Sequence, residues 1–133
     1  MAQQYRDDQL ESTLKQLHIA VDGVRASVVV NIDGLLVSAF PPSDEDNPHE
    51  NPTSSPQVAA MSATLIGLAD RTLKRLAQGE LERLLIEAEE GTMVVYPAGA
   101  RASLAVLVRR DAQLGKVLFA VRKAAADVAG ILA

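Results

Sequence analysis

The chain has 133 residues, a formal net charge of −4 and no cysteine. Its length allows one domain with a core of its own, and the lack of cysteine excludes disulfide scaffolds, thiolate zinc sites and cysteine nucleophiles. No apolar run approaches the roughly 18 residues of a membrane span, and the start MAQQYRDDQ is too polar for a signal peptide. We therefore expect a single cytoplasmic domain over residues 1–133, with no membrane segment.

The first third of the chain predicts a helix and a β-hairpin. Residues 7–21 place three leucines and a valine on one narrow stripe, which is typical of an amphipathic helix. His18 flanks the stripe without a second ligand or acid at a useful spacing, so we interpret it as a partly buried structural residue. Residues 25–32 form a β-branched strand, Asp33-Gly34 is a two-residue hairpin signal, and residues 35–40 form the return strand.

Residues 41–55 (PPSDEDNPHENPTSS) change character, since prolines and acids replace apolar residues and no base is present. The composition predicts a mobile, solvated loop. The side chains of Asp44, Asp46, His49 and Glu50 are of the types that bind hard cations, but the run lacks the glycine and the spacing of an EF-hand loop. We predict neither a metal nor a cofactor.

A helix is predicted from Pro56 to Gln78, with Ser55 as its N-cap and Gly79 as its stop. Its apolar residues cover roughly 180° of the helical wheel, whereas a helix lying on one core needs a stripe of only about 100°. The helix therefore has two apolar surfaces to bury, one against its own domain and one elsewhere. The second surface is the main functional indication in the sequence.

The last third is predicted to add three strands and a helix. Residues 83–88 fit either a helix or a strand, and the strand is favoured because Gly79 has just ended a helix and residues 93–96 need an antiparallel neighbour. Residues 102–108 are apolar at nearly every position, as in a central strand buried on both faces. Asp111 is predicted to cap a final helix, on which Phe119 lies outside the apolar stripe, either incidentally or as a contact residue.

The element order α-β-β-α-β-β-β-α predicts an α+β sandwich, in which helices cover both faces of one five-stranded antiparallel sheet. No G-x-S-x-G, H-E-x-x-H or G-x-x-x-x-G-K-[ST] motif occurs. We therefore predict no catalytic residues and no enzymatic activity. The basic residues of the second half are mixed with acids and lack aromatic neighbours, so no nucleic-acid interface is expected.

The sequence resembles the Roadblock / dynein light chain family over roughly Leu10 to Leu132. The resemblance rests on VDGV at 21–24, VVVNIDGLLV at 28–37, the helix containing Gly67 and Leu68, GEL at 79–81 and LAVL at 104–107 before Leu114. It implies the Roadblock/profilin-like sandwich, in which residues 83–88 are a strand. The loop at 41–55 is longer and more acidic than is usual in the family, so the resemblance assigns it no role.

The resemblance also implies a homodimer, in which the central helices lie side by side and the following strands pair across a two-fold axis. The expected dimer interface comprises Val58, Met61, Leu65, Leu68, Thr72, Leu84 and Ile86. A heterodimer with a paralogue stays open as an alternative to the homodimer.

The function implied is that of a non-enzymatic regulator of a small Ras-like GTPase, because the dimer in prokaryotic relatives binds a GTPase and orders its catalytic groups. We expect such a partner at Leu68, Arg71, Thr72 and Arg75. Arg71, Lys74 and Arg75 also suggest an arginine finger supplied in trans, although solvated charges beside Asp70 are the favoured interpretation. Two alternatives stay open: a structural adaptor that binds a peptide or larger assembly, and a small-molecule sensor.

Overall fold

The computed structural model describes residues 2–42 and 56–133, so the predicted loop at 41–55 lies almost wholly outside the described residues. The eight elements follow the predicted order: α1 (Ala2–Ala20), β1 (Val24–Asn31), β2 (Leu36–Phe40), α2 (Pro56–Arg75), β3 (Leu84–Glu87), β4 (Gly91–Pro97), β5 (Ala102–Arg109) and α3 (Leu114–Leu132). All strand pairs are antiparallel, in the order β2-β1-β5-β4-β3. The predicted α+β sandwich and the strand at 83–88 are confirmed.

Two helices, α1 and α3, cover one face of the sheet. Alternate residues of β5 point toward them, as expected for a pleated strand, and Leu104 and Val106 are fully buried there. From the helices come the buried side chains Leu10, Leu14, Leu17, Val117, Val121, Ala124, Ala125 and Val128. This face holds the larger part of the aliphatic core.

The opposite face is covered by α2 alone. Its core consists of Val28, Val30, Val95 and Ala105 from the sheet and Ala59 from the helix. Of the twenty residues of α2, only Ala59 and Ser62 are buried. Both are small, so α2 contributes little apolar area to its own domain, and the wide apolar arc is left mostly unburied.

His18, near the C-terminal end of α1, is partly buried against the sheet, as predicted. Its Nε2 lies 3.0 Å from the Oγ of the fully buried Ser27, and its ring meets that of Phe40 edge-on, with 4.7 Å between the centroids. Burial lowers the pKa of His18 below its ordinary value, because a charged imidazolium loses hydration there.

The β1–β2 hairpin is placed differently from the prediction. The Gly34 amide donates to the Asn31 carbonyl at 3.0 Å, so Ile32 and Asp33, rather than Asp33 and Gly34, are the central turn residues. The Asn31 side chain accepts from the amides of Asp33 and Leu35 and so stabilises this longer turn. Gly34 has a φ of +84°, and a Cβ there would lie 3.1 Å from the Cα of Ala60 on α2. The β1–β2 register shifts between Val29 and Val30.

The end of α2 also differs from the prediction, since the helix stops at Arg75 and not at Gln78. The Gln78 amide donates to the Leu73 carbonyl at 2.9 Å, and the Ala77 amide donates to that of Lys74 at 3.0 Å. These two bonds form a Schellman motif. Its left-handed position is occupied by Ala77, with a φ of 58°, although glycine is the usual residue there.

The predicted cap of α3 is wrong. The helix begins at Leu114, and the N-cap residue is Gln113, which makes no capping hydrogen bond through its side chain. Asp111 instead lies 3.3 Å from the Nε of Arg109, in an exposed ion pair with the last residue of β5. The carboxylate is therefore engaged before the helix begins.

Candidate partner-binding surface

An exposed apolar stripe runs along the outer side of α2. Met61, Leu65 and Leu68 follow one another at helical spacing, with 62%, 38% and 54% of their surfaces exposed. The inner side of the helix carries Ala59, Ser62, Ala63 and Ile66 against the sheet. The outer stripe (Met61, Leu65, Leu68 and Leu76) is therefore the unburied half of the predicted apolar arc.

The edge strand β3 adds to this surface. Leu84 and Ile86 pair with Val95 and Met93, which belong to the core beneath α2, so both point to the α2 face. Leu85 points to the opposite face. In the described part of the chain β3 is hydrogen-bonded to β4 alone and forms one edge of the sheet. An exposed apolar edge is an unusual feature in a monomer, because it offers backbone groups to another strand.

The seven residues predicted at a dimer interface lie along this surface with different degrees of exposure. Met61, Leu65, Leu68, Thr72 and Ile86 are exposed, whereas Val58 and Leu84 are partly buried. The prediction omitted Leu76 and Leu85, which are 62% and 38% exposed. Leu76 belongs to the predicted apolar arc but follows the observed end of the helix, and Leu85 points to the face of the sheet opposite α2.

The cationic margin of the surface comprises Arg71 and Arg75, both exposed. Within residues 2–42 and 56–133 neither guanidinium has an ion pair. Thr72 lies between them and donates its hydroxyl hydrogen to the Leu68 carbonyl at 2.8 Å. The structure thus brings the four predicted partner-binding residues together at the C-terminal end of α2.

Lys74 does not share the environment of these arginines. Its Nζ lies 2.8 Å from the Asp70 carboxylate, one helical turn earlier. Lys74 is thus an exposed charge beside Asp70, in agreement with the favoured interpretation, although that carboxylate pairs with it. Among the described residues, neither Arg71 nor Arg75 has such an ion pair, so both charges face solvent there.

Asp70 connects α2 to the segment that leads into β3. Besides its bond to Lys74, its carboxylate accepts a hydrogen bond from the Leu81 amide at 3.1 Å. The hydrogen bond from Lys74 and then that from Leu81 lower the pKa of Asp70, and the bond to Asp70 raises the pKa of Lys74. This contact fixes the two elements of the apolar surface relative to each other.

The surface has the composition of an interaction site, with an apolar centre and a cationic margin. The part of the chain that the structure describes contains no group of three or more His, Asp or Glu side chains arranged to hold a metal ion. No helix among the described residues is long and apolar enough to cross a membrane. The fold and the surface thus define a small α+β domain with one exposed apolar helix face.

This chain belongs to the Roadblock/LC7 family, whose domain model matches residues 10–108. The Methanocaldococcus jannaschii protein named Uncharacterized protein MJ1340 is 30% identical over 107 residues, which cover 80% of this chain and 86% of that protein. The Roadblock/LC7 domain from Streptomyces avermitilis superposes with a TM-score of 0.78 at 23% identity, covering 92% of this chain and 96% of that one. A structure of MglB with a tetrameric arrangement gives a TM-score of 0.78 at 18% identity, covering 95% and 89%.

Proposed function

We propose that the protein is a homodimeric, non-enzymatic regulator that binds a small Ras-like GTPase and modulates its GTP hydrolysis or responds to its nucleotide state. The observation that carries this proposal is the outer stripe of α2 beside the open edge of β3. The resemblance to GTPase-binding Roadblock proteins supplies the class of partner.

The dimer would form by burying the outer stripe of α2 against the same stripe of a second copy. Met61, Leu65 and Leu68 offer no polar atoms that need partners, so their burial is favourable by about 25 cal/mol per Å² of apolar surface. The β3 edges of the two copies would pair through their backbone groups, with Ile86 beside the joined helices. Such a two-fold contact uses the same residues on both sides.

The GTPase would bind at the margin formed by Leu68, Arg71, Thr72 and Arg75. Two-fold symmetry would bring the margins of both copies close together, presenting cations around an apolar centre. Either unpaired guanidinium could donate to acidic groups of the partner. The family resemblance does not require an arginine finger, so the regulator is expected to act by ordering catalytic groups that the GTPase itself carries.

The test uses purified Ras-like GTPases encoded in the same genome, loaded with GDP or a non-hydrolysable GTP analogue. We expect one of them to bind with a clear preference for one nucleotide state, measured by calorimetry. Single-turnover hydrolysis would show whether the rate changes. The double variant Arg71→Ala, Arg75→Ala should weaken binding, and Lys74→Ala is the matched control, since Lys74 is held by Asp70. The protein alone should not hydrolyse GTP.

A structural adaptor is the second candidate, and the open β3 edge favours it. An exposed edge strand can bind an extended peptide as an additional strand. The same binding assays separate the two functions, because an adaptor would retain a peptide and would not distinguish the nucleotide states of any GTPase. That outcome would overturn the regulator proposal.

A further inference from the structure

The free side of β3 presents its backbone groups in a fixed alternation. The amide of Ala88, just after the strand, donates to the carbonyl of Gly91 at 2.9 Å, so the backbone groups of Ala88 point toward β4. Because peptide groups alternate along an extended strand, those of the even-numbered residues of β3 also point toward β4. The amides and carbonyls of Leu85 and Glu87 therefore point outward, where no described strand pairs with them.

Three exposed side chains along this edge lie on the face of the sheet that α3 covers. Arg83, Leu85 and Glu87 alternate along the chain, and Arg83 lines a groove together with Ala125 and Ala129 of α3. Within the described ranges neither Arg83 nor Glu87 forms an ion pair. At about 3.3 Å per residue they lie roughly 13 Å apart along the strand, so they cannot pair with each other in one chain.

Two-fold symmetry restricts how a second β3 can pair with this edge. In an antiparallel pair, directly opposed residues point to the same face, and both direct their backbone groups either at each other or away. The α2 helices of the proposed dimer share one face of the joined sheet. The axis must then pass beside Leu84, Leu85 or Ile86, so that this residue lies opposite its own copy.

Of these three registers, the one centred on Leu85 matches the charges of the edge. With Leu85 opposite its own copy, Arg83 of each chain faces Glu87 of the other, and Leu84 faces Ile86. An axis at Ile86 would instead place Glu87 opposite Leu85, and an axis at Leu84 would place Arg83 opposite Leu85. Directly opposed residues of opposite charge stabilise a strand pair, and only the central register provides two such pairs.

We propose that β3 is a self-complementary edge whose partner is a second copy of this chain, with Leu85 at the two-fold axis and Arg83 of each copy paired with Glu87 of the other. The proposal rests on the homodimer proposed above and does not depend on the GTPase. It adds the register and the ion pairs that select the partner. A paralogue with other residues at positions 83 and 87 would lose both pairs, so homodimerisation is favoured.

Single cysteines test the register, because the chain has none of its own. Leu85→Cys should form a disulfide across the axis under mild oxidation, since opposed Cα atoms of a hydrogen-bonded antiparallel pair lie about 5.5 Å apart. Leu84→Cys and Ile86→Cys would each be offset from their own copies by two residues, roughly 7–8 Å, which is too far for a disulfide. Non-reducing electrophoresis measures the cross-linked fraction. Preferential cross-linking at position 84 or 86 would overturn the proposed register.

Charge reversal tests the ion pairs. Arg83→Glu and Glu87→Arg each make both pairs repulsive, so each variant should raise the dissociation constant of the dimer about tenfold. A mixture of the two variants should form a heterodimer, because one chain then carries acids and the other bases at both positions. Sedimentation at low salt, where exposed charges are least screened, measures both effects. Lys15→Glu is the matched control, since α1 lies over β1 and β2 at the other edge, and it should not change dimerisation.

The outcomes separate this proposal from the proposed function. Unchanged dimers in both reversed variants, or a mixture of them that stays monomeric, would overturn the ion pairs and leave the homodimer standing. A monomeric unaltered chain would overturn both the homodimer and its register. A purified paralogue that lacks both charges and binds as tightly as a second copy would also overturn the proposal.

Discussion

The two faces of the sheet are packed in different ways. On one face α1 and α3 bury large side chains, including Leu10, Leu14 and Val117, with none of their surface exposed. On the other face α2 fully buries only an alanine and a serine among its described residues, and it turns Met61, Leu65 and Leu68 outward. The first face is complete in one chain, whereas the second leaves apolar surface that another molecule can cover.

Residues on the α1/α3 face therefore stabilise the monomer, whereas the exposed residues of α2 are available for binding. Leucine side chains at fully buried positions stabilise the fold by removing apolar surface from water within the monomer. Leucines on the outer side of α2 keep 38–54% of their surface in water, and this part stabilises the protein only when a partner covers it. Mutations on the two faces should therefore differ in size and in their dependence on protein concentration.

The largest effect is expected from Leu14→Ala on the complete face. Removing a fully buried leucine side chain should lower the free energy of unfolding by about 3–5 kcal/mol. The matched variant Leu68→Ala should cost less, and its cost should grow with protein concentration, because only the associated form buries Leu68. Urea denaturation at two protein concentrations measures both. Equal, concentration-independent losses would contradict the comparison.

A charge placed on the outer side of α2 or on the β3 edge should disrupt association. Leu65→Asp or Ile86→Asp should raise the dissociation constant of the dimer by about a hundredfold or more, because an unpaired carboxylate would be buried at the contact. Sedimentation of the unaltered chain should give twice the 14.1 kDa mass of one chain. Phe119→Asp is the control, since Phe119 is 77% exposed on α3. A monomeric unaltered chain, or dimers that persist in both variants, would contradict the assigned surface.

A smaller gain is expected at the end of α2. Ala77→Gly should stabilise the chain by about 0.5–1 kcal/mol, because glycine adopts the left-handed conformation of Ala77 without steric cost. Thermal unfolding should show a midpoint higher by about 2–4 °C. As a control, Ala126→Gly in the exposed interior of α3 should lower the stability by about 1 kcal/mol. A loss of stability in Ala77→Gly would mean that this conformation does not persist in solution.

The smallest effects are expected in the pH dependence of stability. A titrating residue on each face, His18 on one and Asp70 on the other, should affect stability in a different pH range. Because burial lowers the pKa of His18 in the folded chain, the unfolded chain binds more protons below about pH 6.5. Stability should therefore fall as the pH drops below 6.5, and His18→Gln should remove this loss.

Asp70 affects the other face at lower pH. Its pKa is lowered by Lys74 and Leu81, so its contribution is present above about pH 3.8 and is lost as the pH falls through the folded pKa. Asp70→Asn should flatten the curve below pH 4 and leave the His18 range unchanged. Denaturation across pH 3–8 tests both variants, and a single transition unaffected by either would contradict the assignment.

The fold was predictable because hydrophobic patterning and turn signals act locally. The β-branched run before the Asp33-Gly34 signal and the apolar residues of β5 each indicated their element without tertiary information. Boundaries were less predictable, because side-chain hydrogen bonds decided them. The Asn31 side chain moved the hairpin turn, and the bond from Arg109 engaged Asp111 before α3 began.

The candidate surface was predictable in part for the same reason. The wide apolar arc of α2 indicated its outer stripe, because helical periodicity is a property of the sequence. Asp70 pairs with Lys74 and not with an arginine, and this choice depends on the side-chain rotamers in the fold. The hydrogen bond from the Leu81 amide to Asp70 depends on them as well.

The register shift between Val29 and Val30 has a consequence for the size of assemblies. A sheet has two edges, and here the shift distorts the ladder beside β2, whereas β3 pairs with β4 in regular register. Irregular edges discourage strand addition. Strand addition is therefore favoured at only one edge, and two copies joined through β3 would present β2 at both ends of the combined sheet. In the proposed dimer, growth by sheet extension would therefore stop at two chains, and fibre formation would be disfavoured.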